Sequence, residues 1–173
     1  MEDILDIFKY VLPSVITFLA SFFITKRFLD NEYSRKMMDL RMQNQKTITP
    51  MRLQAYERMV LFLERISLAS LVQRTHKQGM SARLLQAELV KAIRAEFDHN
   101  LTQQVYITNK AWDSVKAAKE ETIKAINIAS TRVNDDATGM DLVNVLFDLI
   151  TKVERLPTDI AIDILKMEAR QIF

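Results

Sequence analysis

The chain has 173 residues, enough for one domain with a buried core beside a membrane segment but too few for two such domains. It contains only 2 glycines and 3 prolines, and residues that favour helices dominate, so the composition predicts an all-α protein. The absence of cysteine excludes disulfides and thiolate metal sites. A net charge of +2 is too balanced for a nucleic-acid-binding protein.

Residues 1–25 are predicted to form a transmembrane anchor. Residues 10–25 carry no charge and span about 24 Å as a helix. Extension back to Ile4 gives about 33 Å, enough to cross a hydrocarbon layer of roughly 30 Å. The anchor residues are Tyr10, Val11, Leu12, Pro13, Ile16, Phe18, Leu19, Phe22, Phe23 and Ile24.

Two alternatives to an anchor, a cleaved signal peptide and a buried core helix, fit the sequence less well. A cleaved signal peptide begins with positive charge, whereas Glu2, Asp3 and Asp6 precede this apolar stretch. A buried core helix suits the short uncharged run, but such a helix keeps a polar face, and residues 10–25 are apolar all round. The sequence therefore favours a single membrane span.

Basic residues predict the orientation of the span. Lys26 and Arg27 close it and three more basic residues follow by residue 41, while Lys9 and the amino terminus lie on the other side. By the positive-inside rule, the N-terminus faces out and the bulk of the chain faces the cytoplasm.

Residues 26–49 are predicted to form a juxtamembrane helical stalk. Leu29, Tyr33, Met37 and Leu40 follow at spacings of four, four and three, so they share one stripe of the helix. The stripe either packs onto the protein's own helices, which is the favoured reading, or joins two copies in a short coiled coil. A break is predicted at 47–50, because Pro50 suits the first turn of a new helix.

Residues 50–173 are predicted to form a small antiparallel helical bundle. The first helix of this domain has a wide apolar face, which contains Leu53, Tyr56, Met59, Val60, Phe62, Leu63 and Ile66. A short helical turn and loop follow it and end at Gly79. Ser81 then caps a helix whose apolar stripe begins at Leu85 and is expected to continue to Leu101 and Val105.

Three further helices complete the predicted bundle. Thr108 caps one that runs to about Val133, and the polar residues from Asn134 to Gly139 mark a turn. Two amphipathic segments follow, 140–155 and 157–173, separated at Pro157. In the last helix one face holds Ile160, Ile164 and Met167, and it either docks on the bundle or awaits a partner.

Glu96 and His99 form the one Glu-x-x-His motif, whose spacing places both side chains on one helix face, as in di-iron bundles. A second such motif is missing, because the other histidine, His76, follows Gln73 instead of a carboxylate. A hydrogen-bonded or solvated histidine is therefore favoured over a metal ligand.

A polar cluster surrounds this motif, and it consists of Glu96, His99, Asn100, Gln103 and Gln104. A satisfied helix junction is favoured over a partner-binding surface, because buried polar groups are usually bonded within the protein. Trp112 is expected to fill the core and not to anchor an interface. Interhelical ion pairs are expected of four charged residues of the first domain helix, Glu57, Arg58, Glu64 and Arg65.

Missing motifs argue against catalysis. Glycine occurs only at 79 and 139, which excludes the common glycine-rich phosphate-binding loops. There is no cysteine nucleophile, and no serine lies in a glycine-flanked nucleophile elbow. The sequence predicts a protein that is not an enzyme and holds no cofactor.

Two long phrases carry a resemblance: ITPMRLQAYERMVLFLERISLASLV and GMSARLLQAELVKAIRAEFDHNLTQQVYITNKAWDSVKAAKEETIKAIN. With the anchor, they resemble a family of uncharacterised membrane-anchored proteins of Bacteroidetes bacteria, over residues 1 to about 150. The resemblance implies a bacterial inner-membrane protein with a cytoplasmic helical domain, and it implies no activity.

The sequence thus predicts a membrane-anchored adaptor or scaffold that contacts the lipid bilayer and binds a protein partner on the cytoplasmic side. The sequence leaves two alternatives open. One is a homo-oligomeric structural component that uses the stalk stripe. The other is a metal-binding protein that uses Glu96 and His99.

Overall fold

A computed structural model describes residues 2–172, and for residues 2–8 and 10 it describes the backbone alone. The side chain of Tyr10, predicted to belong to the anchor, therefore lies outside the described residues. Over residues 2–172 the chain is all-α with no strand, which confirms the predicted fold class.

Six α-helices and one 3-10 helix make up this range. They are α1 (Glu2–Ile66), α2 (Leu68–Thr75), α3 (Ala82–Asn100), a 3-10 helix (Leu101–Val105), α4 (Asn109–Ser130), α5 (Gly139–Thr151) and α6 (Pro157–Ile172). The chain divides into two compact units, Met1–Ile48, here called the N-terminal unit, and Thr49–Phe173, here called the helical domain.

The predicted helix break at residues 47–50 is wrong, because α1 continues through Pro50. A proline inside a helix lacks the N–H that would bond the carbonyl four residues earlier. Pro50 is exposed, so water can bond that carbonyl instead. The preference of proline for the start of a helix therefore does not end α1 at Pro50.

In the N-terminal unit, apolar side chains lie on all sides of α1 and are exposed. The part of α1 from Val11 onward includes a stretch that is long and apolar enough to cross a membrane, judged by length and composition, and no residue of that stretch is buried. Two hydroxyls within it bond to the helix itself. Ser14 Oγ donates to the Val11 carbonyl at 2.7 Å, and Thr17 Oγ1 donates to the Pro13 carbonyl at 2.8 Å. These bonds satisfy the hydroxyls without water.

The helical domain has one apolar core, to which the last turns of α1 contribute. The largest side chains that are fully buried are Met59, Phe62, Leu63, Ile66, Leu71, Leu85, Leu89, Ile93, Ile126, Leu142, Leu146 and Leu165. Helix α4 packs on α3, α5 and α6, and α5 also packs on α3. The apolar faces predicted around Phe62 and Leu85 are thus core faces.

Helix caps were predicted from local sequence, and two of them are confirmed. Ser81 Oγ accepts a bond from the Leu84 N–H at 3.3 Å, and Thr108 Oγ1 accepts one from the Ala111 N–H at 3.1 Å. The stripe that begins at Leu85 was expected to continue to Leu101 and Val105, but both are exposed. A 3-10 helix turns about 120° per residue, so these side chains rotate away from the core face.

Gly139, predicted to lie in a turn, is the first residue of α5. Its N–H donates to the Met80 carbonyl at 2.7 Å, which joins the loop before α5 to the loop before α3. A Cβ at this position would lie 3.0 Å from the Met80 oxygen and 3.2 Å from Cδ2 of His76. The glycine therefore permits a close approach of the two loops.

Helix α6 docks on the bundle, which is one of the two alternatives that the sequence left open, and it does so through a face other than that of Ile160 and Met167. Its buried face contains Ala161, Ile162 and Leu165, whereas Ile160 and Met167 are exposed. Both faces of α6 carry apolar residues, so periodicity alone did not distinguish them.

Candidate functional site

An open groove of about 700 Å³ lies between α1 and α3 in the helical domain. We call it the α1–α3 groove. Its lining consists of Arg58, Leu61, Phe62 and Arg65 from α1 and of Ala92, Ala95, Glu96, His99 and Asn100 from α3. In each helix these residues follow the pattern i, i+3, i+4, i+7, so each set is one helix face. The groove is therefore the furrow between two neighbouring helices.

Glu96 is the only carboxylate in the groove lining and holds two arginines. Its Oε1 accepts a hydrogen bond from Arg65 Nε at 2.8 Å and one from Arg74 Nη1 at 3.3 Å. Arg74 Nη2 also donates to the Arg65 carbonyl at 2.9 Å. The Glu96 side chain is only 19% exposed, so its charge needs such partners. The carboxylate thereby fixes the Arg65 guanidinium at the wall of the groove and links it to Arg74 of α2, which lies outside the groove lining.

Three aromatic rings in contact extend from Phe62, in the groove lining, to the buried Trp112. Phe62 is buried, and its ring centroid lies 5.9 Å from that of Phe97. Phe97 in turn stacks on Trp112 at 5.3 Å, and Lys119 Nζ lies 4.2 Å from the centre of the Phe97 ring. Through Phe97, these contacts restrain the Phe62 side chain, which forms part of the groove lining. Trp112 is buried, as expected of a core residue.

The structure brings together part of the predicted polar cluster. Glu96, His99 and Asn100 line the groove. Asn100 is buried, and its Nδ2 donates to the Glu96 carbonyl at 2.8 Å, a bond within the last turn of α3. Gln103 and Gln104 lie beyond α3 in the 3-10 helix and do not line the groove.

The arginines of the site were only partly foreseen. Arg65 forms the interhelical ion pair expected of it. Arg74 was missed, because it lies on the short helix α2, where no periodic pattern marked it. Its proximity to Glu96 is a tertiary contact between residues far apart in the sequence.

The described part of the chain contains no set of ligands for the alternative of a metal site. No group of three or more His, Asp or Glu side chains there could hold a metal ion. Oε1 of Glu96 is already bonded to two guanidinium groups, and His99 is exposed.

A second polar cluster links α6 to α1 and to the start of α4. Glu168 Oε2 accepts hydrogen bonds from the Tyr56 hydroxyl at 3.1 Å and from Thr108 Oγ1 at 2.6 Å. Burial raises the pKa of the Tyr56 hydroxyl above its ordinary value of 10.0, and the hydrogen bond to Glu168 raises it further. This cluster holds α6 in place and leaves the α1–α3 groove open.

The fold and the groove together define an all-α protein with one long apolar N-terminal helix and a compact helical domain. Residues 2–172 match the Family of unknown function (DUF7935), and the chain belongs to this family. The match covers the apolar helix as well as the helical domain. No curated protein and no solved structure matches the chain.

Proposed function

We propose that this chain is a non-enzymatic adaptor, anchored in the inner membrane of a bacterium, that binds an acidic helix of a protein partner in the α1–α3 groove. Its N-terminus lies outside and its helical domain lies in the cytoplasm. The observation that carries the proposal is the groove itself, in which two helix faces meet and the one carboxylate of the lining is bonded to Arg65 and, outside the lining, to Arg74.

The apolar surface of the N-terminal unit supports the anchor. Side chains such as Phe18, Phe22 and Phe23 are exposed, and burial of a large apolar side chain is worth about 1.5–3 kcal/mol. A lipid environment supplies that burial without a protein partner. The adjacent Lys26 and Arg27 favour the cytoplasmic side for the chain that follows.

The shape of the groove supports a helical occupant. Two packed helices leave a furrow into which the side chains of a third helix fit. Ala92 and Ala95 are small and let the backbone of an occupant approach α3 closely. Leu61 is 57% exposed on the opposite wall and offers an apolar contact.

The charge of the groove supports an acidic occupant. Arg58 and Arg65 line it, whereas the one carboxylate in the lining, Glu96, is already bonded to Arg65 and Arg74. The lining therefore carries an excess of positive charge that an acidic helix would neutralise. Such complementarity contributes to specificity and to the rate of association.

Site-specific photo-crosslinking in cells tests the proposal. A photoreactive residue replaces Leu61 in the groove or, as a matched control, Leu84, which is similarly exposed but lies outside the groove lining. The full-length chain carries the probe in its native membrane. We expect position 61 to yield one discrete adduct with another protein, mapped to an acidic helical segment, and position 84 to yield none.

One further variant and a change in salt concentration define the outcome. R58E should reduce the adduct at position 61, and added salt should reduce the partner's rate of association with the groove, because rim charges act through screened electrostatics. Equal adducts at positions 61 and 84 would contradict the proposal, and so would an adduct that R58E does not change. An adduct of the chain with itself would assign the groove to self-association.

A further inference from the structure

The part of α1 between the apolar stretch and the helical domain carries a stripe that the proposed adaptor function does not use. We propose that this juxtamembrane stripe pairs in parallel with the same stripe of a second copy of the chain. It consists of Leu29, Tyr33, Met37, Leu40, Asn44 and Ile48. The inference rests on the proposed anchor, since the anchor sets the direction of both copies.

Spacing and exposure define the stripe. Its residues follow at intervals of four, four, three, four and four, so at 3.6 residues per turn they stay within about 100° on one side of α1. The four largest apolar members, Leu29, Tyr33, Leu40 and Ile48, are 59%, 68%, 55% and 51% exposed. A continuous apolar face over several helical turns is typical of a surface that another helix covers.

The anchor identifies the second copy as the occupant. Copies that enter the membrane in one orientation hold each residue of the following helix at the same height. Leu40 of one copy then faces Leu40 of the other, and the whole stripe is in register without any adjustment. Confinement to one membrane also raises the effective concentration of the stripes for each other.

Asn44 indicates a parallel pair in a fixed register. It is the one polar side chain within the stripe and is exposed. In parallel coiled coils, a single asparagine inside an apolar seam pairs with its counterpart and specifies register and the number of strands. A parallel arrangement of two copies places Asn44 opposite Asn44.

The charges beside the stripe are compatible with this pairing. Lys36 forms an ion pair with Glu32 of the same helix, with Nζ 3.4 Å from Oε1. Two identical helices side by side bring identical flanks together, so a charge neutralised within its own helix lowers the repulsion between copies.

The absence of native cysteine makes disulfide crosslinking a direct test. Met37 lies in the stripe and Met42 lies on the opposite side of α1, and they are 38% and 49% exposed. M37C and M42C are thus matched in residue type, and each variant carries a single thiol. Full-length protein in native membranes is oxidised with copper phenanthroline. We expect a disulfide-linked dimer from M37C and L40C at a rate at least tenfold above that from M42C.

Labelling of the same thiols with a maleimide completes the test. Equal crosslinking of M37C and M42C, or free labelling of both thiols without crosslinking, would overturn the proposal. Protection of M37C without a crosslink would also overturn it, because another surface would then cover the stripe.

Two control measurements separate this inference from the proposed function. L40K should convert the dimer to a monomer by single-molecule photobleaching in nanodiscs, whereas M42K should not. Recovery of the protein in the soluble fraction would contradict the anchor, and a stripe-specific crosslink there would still support self-association. Loss of the partner adduct at Leu61 with an intact M37C crosslink would contradict only the adaptor function.

Discussion

The two units of the chain use apolar side chains in opposite ways. None of the described side chains in residues 9–48 is buried, whereas the helical domain buries a contiguous core around Phe62, Leu89 and Leu142. Both units share helix α1, so helix formation itself does not distinguish them. The apolar side chains described in the N-terminal unit are thus left exposed by the chain itself, whereas the helical domain buries its own.

The largest difference between the two units is expected when a phenylalanine of each is truncated to alanine. F62A should lower the free energy of unfolding of the helical domain by about 3–5 kcal/mol, because it empties a fully packed core position. F22A should leave that free energy unchanged, since Phe22 is exposed. Urea unfolding of the full chain in mild detergent, followed by the fluorescence of Trp112, measures both. Similar losses in the two variants would contradict the division into two units.

A charge placed in each unit should have the next largest effect. L19R should weaken membrane insertion, because an arginine near the centre of a span costs about 2.5–3.5 kcal/mol on insertion scales. L84R, on an exposed position of α3, should not. Alkaline extraction of membranes from cells that express each variant measures the retained fraction. Full retention of L19R in membranes together with loss of L84R would contradict the assignment of the membrane span to the N-terminal unit.

Within the helical domain, loss of the Tyr56–Glu168 bond is expected to have a smaller effect on stability than loss of a core side chain. Y56F should lower the free energy of unfolding at neutral pH by about 1 kcal/mol, because Glu168 loses one of its two donors. The pKa of Tyr56 is raised, so its contribution to stability is present below pH 10.0 and is lost as pH rises through the folded pKa. Absorbance titration should show one tyrosine ionising late in the wild type and not in Y56F. Loss in Y56F of a tyrosine that ionises at an ordinary pH would contradict the raised pKa of Tyr56.

The smallest effect is expected at the cap of α5. The pKa of Asp141 is lowered from 3.8, first because its side chain accepts a hydrogen bond from the Thr138 hydroxyl and then because it accepts one from the Thr138 N–H. Its contribution is therefore present above pH 3.8 and is lost as pH falls through the folded pKa. D141N should show a smaller loss of stability than the wild type over that acid range. Thermal unfolding between pH 2 and pH 5 provides the measurement, and parallel curves would contradict the cap.

Local features of the fold could be predicted from the sequence. Ser81 and Thr108 cap their helices because a hydroxyl bonds an N–H three residues ahead, an interaction that needs no tertiary contact. The apolar faces around Phe62 and Leu85 were recognised because helical periodicity marks them. Continuation of α1 through Pro50 was not foreseen, since the local preference of proline points to a break.

Tertiary features could be predicted only in part. Glu96 and His99 were singled out by their spacing, but the role of Glu96 depends on Arg65 and Arg74, which come from two other helices. The sequence left open whether α6 docks, because Ile160 and Met167 are as apolar as the residues that enter the core. Which of two apolar faces is covered depends on where the neighbouring helix α4 lies.

The most direct test of the account is the location of the full-length chain and the side on which its helical domain lies. A single cysteine at Lys124, an exposed residue of α4, is probed with a membrane-impermeant maleimide in intact spheroplasts and after lysis. The account predicts retention of the protein in membranes after alkaline washing, with labelling only after lysis. Extraction by the wash would contradict the anchor, and labelling of intact spheroplasts would contradict the cytoplasmic orientation of the helical domain.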